Sequence, residues 1–464
     1  MRTPPSSSAC FSHWRIWRRY LLILCAVALA WAGTAQAQIV TGTDWVVAYN
    51  LPSQTDDAVL EGEFAIRDLL IAQIDRLEEG NQATLATFTL SGNSLTTGGA
   101  APLLQAVSRA LDRGATVQFI VDSRVDRNRE FQPGLSLNRL ARRRTNPMGL
   151  FGSPRSVLMH NKTGLFDFGA DEKWVFIGSG NFTGAAHTRQ WNVATLIRNR
   201  DLFDAVESDM AEKRAGRFGA KKSREHDRVR FRLDGSWKES WVRFAPYPGA
   251  SGGRNSAEAE IRRLIYDAEE QILFAMHRFN RWSLRQALVA AANRGVRVTG
   301  VIPESDRGRS PNAISRQTAR QLVRAAQFTS TNHVVLVPAR ASATGTEWDS
   351  GQLDLVHAKY AIIDPDGERP IVVHGPANWT ASGLSAPDGN DETTLFLCHR
   401  GIAQAFLEQF RRMTGNETGN RNGGGEVSSD TRGGGVLAAR EKRDGGVPAP
   451  AEKRDEGVPA PSGE

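Results

Sequence analysis

A chain of 464 residues, 40% of them apolar, is long enough to bury a large core without covalent staples. Its three cysteines, Cys10, Cys25 and Cys398, exclude a disulfide scaffold, and neither C-x2-C nor H-E-x2-H is present to ligate a metal. The net charge of +7 falls to +3 without residues 1–37, which hold four arginines and no acid, so the basic balance is weak ground for a nucleic-acid partner.

In chain order, residues 1–37 carry Arg15, Arg18 and Arg19, then the apolar run LLILCAVALAWAG, then AQA before Gln38. This is the plan of a cleavable export signal, with a run too short for an ordinary membrane span. A secreted or periplasmic protein is expected, in which Cys398 stays alone. The amphipathic segment IRDLLIAQIDRLEEG then precedes QATLATFTLSGNSL, residues 82–95, which reads as a strand and its exit. A helical pattern ending at Arg113-Gly114 and a second apolar strand complete a β-α-β unit. The same order returns in AEIRRLIYDAEE, then QILFAMHRFNRWSL at residues 271–284, then a helical pattern ending at Arg294-Gly295 and another strand. In this gapless alignment His277 stands where the first copy has Phe88, so His277 reads as accessory rather than catalytic. The basic stretch from Lys213 to Arg232 reads as a solvated connection between the halves, and Arg142-Arg143-Arg144 as a solvated face. Beyond Thr414 glycine runs and a twice-written phrase, EKRDGGVPAP and EKRDEGVPAP, predict a disordered tail over 415–464.

One short motif occurs twice, 197 residues apart. The first copy is HNKTGLFD, with His160, Lys162 and Asp167, followed by GSGN ending at Asn181; the second is HAKYAIID, with His357, Lys359 and Asp364, followed by GPAN ending at Asn378. Strand alternation puts His and Lys of each copy on one face. The residue types suit attack on a phosphodiester. One imidazole attacks phosphorus, a second protonates the departing alkoxide, and lysines and amides hold the equatorial oxygens.

On these residues the chain resembles the phospholipase D superfamily, whose hallmark is two such motifs in one polypeptide; the likeness spans roughly residues 38 to 414. The resemblance implies an α/β fold of two similar halves with mixed, largely parallel sheets around a pseudo-twofold, the halves being 38–235 and 236–414. It implies a metal- and cofactor-independent phosphodiesterase acting through a phosphohistidine, with phospholipid as substrate and headgroup transfer to alcohols as a side reaction. No obligatory protein partner is evident. A nuclease of the same superfamily is the alternative, and a weakly catalytic protein binding anionic lipid surfaces is the alternative of another class.

The copies differ in ways that bear on roles. Ser179 of GSGN is a candidate phosphate contact, whereas Pro376 of GPAN offers neither hydroxyl nor N–H. Asn390-Asp391-Glu392 resembles the family's acid that bonds a motif histidine, against Gln190-Trp191-Asn192 in the first half. If Glu392 backs His357 and an amide backs His160, then His160 is the nucleophile and His357 the acid, in line with the family's usual order. Trp191, Trp282 and Trp379, near predicted strand ends, are candidates to flank a substrate entrance.

Overall fold

The computed structural model describes residues 39–50, 64–91, 100–188, 190–222, 228–246, 256–304, 333–338 and 355–414. The leader and the tail lie outside the described residues.

In the first half the strands are β1 (Ile39–Thr41), β2 (Trp45–Tyr49), β3 (Gln82–Thr87), β4 (Leu90–Ser91), β5 (Thr116–Val121), β6 (Gly149–Gly152), β7 (Lys162–Asp167), β8 (Lys173–Gly178), β9 (Phe182–Thr183), β10 (Gln190–Trp191) and β11 (Val193–Arg198). The second half supplies β12 (Val229–Phe231), β13 (Ser240–Ala245), β14 (Gln271–Met276), β15 (Arg297–Glu304), β16 (His333–Pro338), β17 (Leu355–Val356), β18 (Lys359–Ile363), β19 (Ile371–His374) and β20 (Glu392–Leu397). They form two eight-stranded sheets of identical design, ordered β1-β2-β11-β8-β7-β3-β5-β6 and β12-β13-β20-β19-β18-β14-β15-β16. Both sheets are mixed, as expected. Parallel pairing belongs to the β-α-β arm, β3-β5-β6 and β14-β15-β16, and the remaining ladders are antiparallel. Because β12 pairs with β13, the second half begins before Val229, and the boundary expected at residue 235 cuts through its first hairpin.

The predicted helix stops hold: Gly114 and Gly295 follow their helices at φ +90° and +95°, a conformation that favours glycine. Asn199 and Ser256 cap the helices Arg200–Arg214 and Ala257–Asp267 through their side-chain oxygens. Helices Ala65–Asp75 and Ala100–Asp112 cover the outer face of the first sheet, and Ala257–Asp267 and Trp282–Asn293 that of the second. The inner faces meet in one shared core with helices Arg200–Arg214 and Arg400–Thr414. Strand periodicity sorts the side chains: Leu165 joins the shared core and Phe166 an outer one, as do Tyr360 and Ala361 in turn. A shared core of this kind makes the halves one folding unit, which is what lets each complete the other's site.

The connection between the halves corrects the reading of the basic stretch. Lys213 and Lys222 are fully buried with Asp209 and Asp391. Lys222 Nζ lies 3.1 Å from both Asp209 Oδ1 and Asp391 Oδ1 and donates to the Ala245 carbonyl at 2.9 Å, while Lys213 bonds Asp209. Nothing in the run of charges distinguishes these two lysines from their solvated neighbours. Their carboxylates lie outside the run. Arg143, by contrast, ties Asp112 and the Ser108 carbonyl at the edge of the first half.

Candidate active site

Each motif histidine sits just before a central strand, and backbone pairing between the halves brings the two together. Trp191 of β10 pairs with Val356 of β17, and the Trp191 carbonyl accepts from His357 N at 3.0 Å. Met159 bridges Asp391 in the same way, and the Asp391 carbonyl accepts from His160 N at 3.0 Å. The register of β8 on β11 and of β19 on β20 makes Asn192 and Glu392 structural equivalents. They are 200 residues apart, not 197, which is why sequence alignment alone left them ambiguous.

The side chains then cross. Glu392, 1% exposed, places Oε1 at 2.8 Å and Oε2 at 3.0 Å from His160 Nδ1. Asn192 Oδ1 lies 3.1 Å from His357 Nδ1. This reverses the expected pairing: the carboxylate of the second half serves the histidine of the first, and the amide of the first half serves His357. The physical reason is the backbone exchange just described, which carries each β20 or β11 entry past the partner's motif. Asn192 is fixed as an acceptor toward His357, because its Nδ2 donates to the Ala186 carbonyl at 2.9 Å.

Lys162 and Lys359, both buried, donate to the carbonyls of His160, at 2.7 Å, and His357 respectively. Burial lowers Lys162 to about 7 against the pull of Glu392 and Asp122, and lowers Lys359 well below the ordinary lysine value, with Lys162 adding to the shift. Burial also brings His160 down to about 4, opposed by Glu392, and His357 well below its usual value, assisted by Lys359. Both imidazoles are therefore neutral near pH 7. Burial makes both lysines reluctant to hold their protons, and a bound anion favours their ammonium forms. A phosphate group supplies such an anion. Asp122, absent from the sequence reading, anchors the loop before His160 by accepting from Met159 N at 2.9 Å.

The remaining candidates divide. Gly178–Asn181 and Gly375–Asn378 follow β8 and β19 alongside the motif ends, so Asn181 and Asn378 adjoin the site. Asn181 Oδ1 is buried without a hydrogen-bond partner among the described residues, and Asn378 Oδ1 accepts from Arg278 N at 3.2 Å. Ser179 is not a phosphate contact: it is fully buried and its hydroxyl donates to Asn192 Oδ1 at 2.9 Å, bracing the acceptor of His357. Asp167 ends β7 and Asp364 follows β18, each about 16 Å from its motif lysine at strand rise and farther from the histidine. Asp167 bonds Lys173 at 2.5 Å. Asp364, at φ +49°, accepts from the backbone N–H groups of Glu269, Glu270 and Gln271 at 2.8–3.1 Å. Both aspartates hold turns, and neither reaches the chemistry. Trp379 is 2% exposed and packs on Phe274 and Phe279 with ring centroids 5.5 and 4.9 Å away, so it is core. Trp191 is half-buried against the shared core, and Trp282 is 63% exposed after the loop that leaves β14. Among the described residues no cluster of three or more His, Cys, Asp or Glu is arranged to hold a metal ion, and no helix is long and apolar enough to cross a membrane.

The sequence matches the family model described as cardiolipin synthase, PLD-like domain, over residues 70–214 and 261–414, one block in each half. The chain belongs to the phospholipase D superfamily. It is thereby a member of a group of phosphodiesterases and phosphotransferases. A search of curated proteins found no match. Among solved structures, the superfamily fold seen here is similar to phosphatidylserine synthase of Haemophilus influenzae Rd KW20, with a TM-score of 0.51 and 14% identity over 76% of this chain and 84% of that one. Polyphosphate kinase of Porphyromonas gingivalis matches with a TM-score of 0.48 and 13% identity over 80% of this chain, which spans 50% of that protein's length. Nuc of Salmonella typhimurium, a phospholipase D family member, matches with a TM-score of 0.28 and 21% identity over 38% of this chain and 93% of its own.

Proposed function

We propose that this protein is an exported phosphodiesterase that cleaves or exchanges the phosphate–headgroup bond of phospholipids through a phosphohistidine. The observation that carries the reading is the crossed arrangement, in which His160 and His357 share one pocket with Lys162, Lys359 and the single carboxylate of Glu392. A phosphodiester anion favours the protonated forms of the two lysines, which then hold its oxygens. His160 attacks phosphorus through Nε2, since its Nδ1–H is committed to Glu392. Phosphorylation leaves that ring positively charged, and the adjacent carboxylate supports the charge. This ground differs from the sequence expectation, whose premise, Glu392 behind His357, the crossing removes. The bound phosphodiester anion favours the imidazolium of His357, which takes a proton from solvent at Nε2 and, held through Nδ1 by the neutral amide of Asn192, delivers that proton to the leaving alkoxide. Water, or a second alcohol, then takes the phosphoryl group from His160 with His357 as base.

A lipid substrate is supported by the description of the matching family and by the near-neutral charge of the chain without residues 1–37. Export rests on the leader pattern alone. The test is to incubate the mature protein in EDTA with phosphatidylglycerol or phosphatidylcholine vesicles and, separately, with plasmid DNA. Phosphatidate plus free headgroup is expected, with phosphatidyl-alcohol appearing when primary alcohol is added. His160→Ala and His357→Ala are each expected to lose at least about 10³-fold in turnover while staying folded. Plasmid nicking without lipid turnover would replace this reading with a nuclease.

A further inference from the structure

One difference between the halves lies against the reacting groups. Thr87 of β3 pairs with Lys162, and Met276 of β14 pairs with Lys359, so the next residues, Phe88 and His277, leave their strands at equivalent places. The Phe88 ring centroid is 5.1 Å from that of His160, and the His277 ring centroid is 4.6 Å from that of His357. The phenyl ring is at home there, with Lys162 Nζ 5.2 Å and the Arg124 guanidinium 5.8 Å from its centroid. The imidazole is only half satisfied. His277 is 8% exposed; its ring N–H donates to the Val356 carbonyl, and Nδ1 meets no hydrogen-bond partner among the described residues. A buried nitrogen left unpaired is destabilising, a penalty that phenylalanine in the same place does not incur. The Val356 carbonyl accounts for one nitrogen of the ring, and a ligand can account for the other.

The surroundings limit what that ligand is. Burial, with the charges of Lys359 and Arg278, holds the His277 ring neutral, and with its N–H taken by the Val356 carbonyl it offers Nδ1 as an acceptor. A hydroxyl donates to it. A quaternary ammonium forms no hydrogen bond and faces two cations, and a primary ammonium faces the same repulsion. The scissile phosphate already has Lys162 and Lys359. We propose that His277 is a specificity-determining residue that hydrogen-bonds a hydroxyl on the alcohol portion of the phosphodiester, so that the site takes a polyol of the glycerol type in preference to a choline type. The proposal rests on the phosphodiester reading above and assigns the His357 side of the pocket to the leaving or accepting alcohol.

Calorimetric titration of the full mature chain with sn-glycerol 3-phosphate and with phosphocholine tests it without requiring turnover. The wild-type protein is expected to bind glycerol phosphate at least about tenfold more tightly, one well-made hydrogen bond's worth. His277→Phe, which installs the other half's own side chain, is expected to bring the two affinities within about twofold. His277→Gln, which keeps a donor and an acceptor, is expected to retain a preference of about threefold or more, and stands in if the phenylalanine variant does not fold. Equal affinity in the wild type, binding of neither ligand, or equal weakening of both in the variants overturns the proposal. Vesicle assays on phosphatidylglycerol and phosphatidylcholine separate the two claims. Selective binding without lipid turnover sinks the lipid reading alone, and lipid turnover without selective binding sinks this inference alone.

Discussion

The carboxylate that accepts from His160 Nδ1 comes from the other half of the molecule: Glu392 Oε1 lies 2.8 Å away, across 232 residues of chain. Replacing Glu392 by Gln keeps the size and an acceptor but removes the charge that supports a phosphorylated ring. First-turnover phosphorylation should slow by about 10²- to 10⁴-fold, as when the acid behind a catalytic histidine becomes an amide. Acid-quenched turnover with peptide mapping should place the phosphoryl group on His160. A label on His357 would reverse the roles, and an unchanged rate in the variant would leave Glu392 without one.

Asp364 belongs to the motif by sequence and to a turn by structure. Asp364→Ala strips acceptors from three backbone N–H groups and should lower stability by about 1–3 kcal/mol. Turnover per folded molecule should change less than about threefold, a small fraction of the barrier. Urea unfolding and active-site titration measure the two separately. A loss of turnover comparable with that of His357→Ala would put Asp364 back in the chemistry.

Lys222 joins Asp209 and Asp391 where no solvent reaches, and the Asp391 carbonyl also holds His160 N. Lys222→Ala leaves buried negative charge uncompensated and should cost about 3–5 kcal/mol. Adding Asp391→Asn should recover part of that loss. Chemical denaturation of the single and double variants checks it, and strict additivity would mean that the two groups do not interact.

Acid should weaken the fold before it protonates the carboxylates. Burial keeps His160 and His374 near 4 and His187 near 3, against an ordinary value of 6.5, with Arg67 adding to the effect at His187. Below pH 6.5 the unfolded chain binds protons that the folded chain refuses. Stability is thus fully present above 6.5 and declines as pH falls toward 4, by up to about 1.4 kcal/mol per pH unit for each histidine. His187→Leu should make the decline shallower. Urea midpoints at pH 7.5 and pH 5 provide the measurement, and equal midpoints in the wild type would contradict it.

Much of this was legible in the residues. Two motifs and a gapless repeat of 82–95 on 271–284 announce duplicated sheets, because strand periodicity and glycine stops are local signals. What a local signal does not carry is the partner across the axis. Glu392 reads as the acid of its own half, since nothing in Asn390-Asp391-Glu392 says that its strand enters past His160. Burial misleads in the same way. Trp379 resembles an entrance residue and Ser179 a phosphate donor until packing covers the one and Asn192 takes the hydroxyl of the other. The lysines at 213 and 222 look solvated because the acids that neutralise them are remote or masked by composition.

The motif offset of 197 residues also relates Ile177 to His374, and these two touch: His374 Nε2 lies 3.0 Å from the Ile177 carbonyl. A position that meets its own counterpart lies on the symmetry axis. In an assembly of two identical half-chains such a position must oppose itself, isoleucine to isoleucine or histidine to histidine, and any new side chain arrives twice. Joining the halves in one polypeptide lifts that constraint. One copy can then present an imidazole while the other presents only its backbone, so the fused chain can turn a symmetric centre into a directional one by single substitutions.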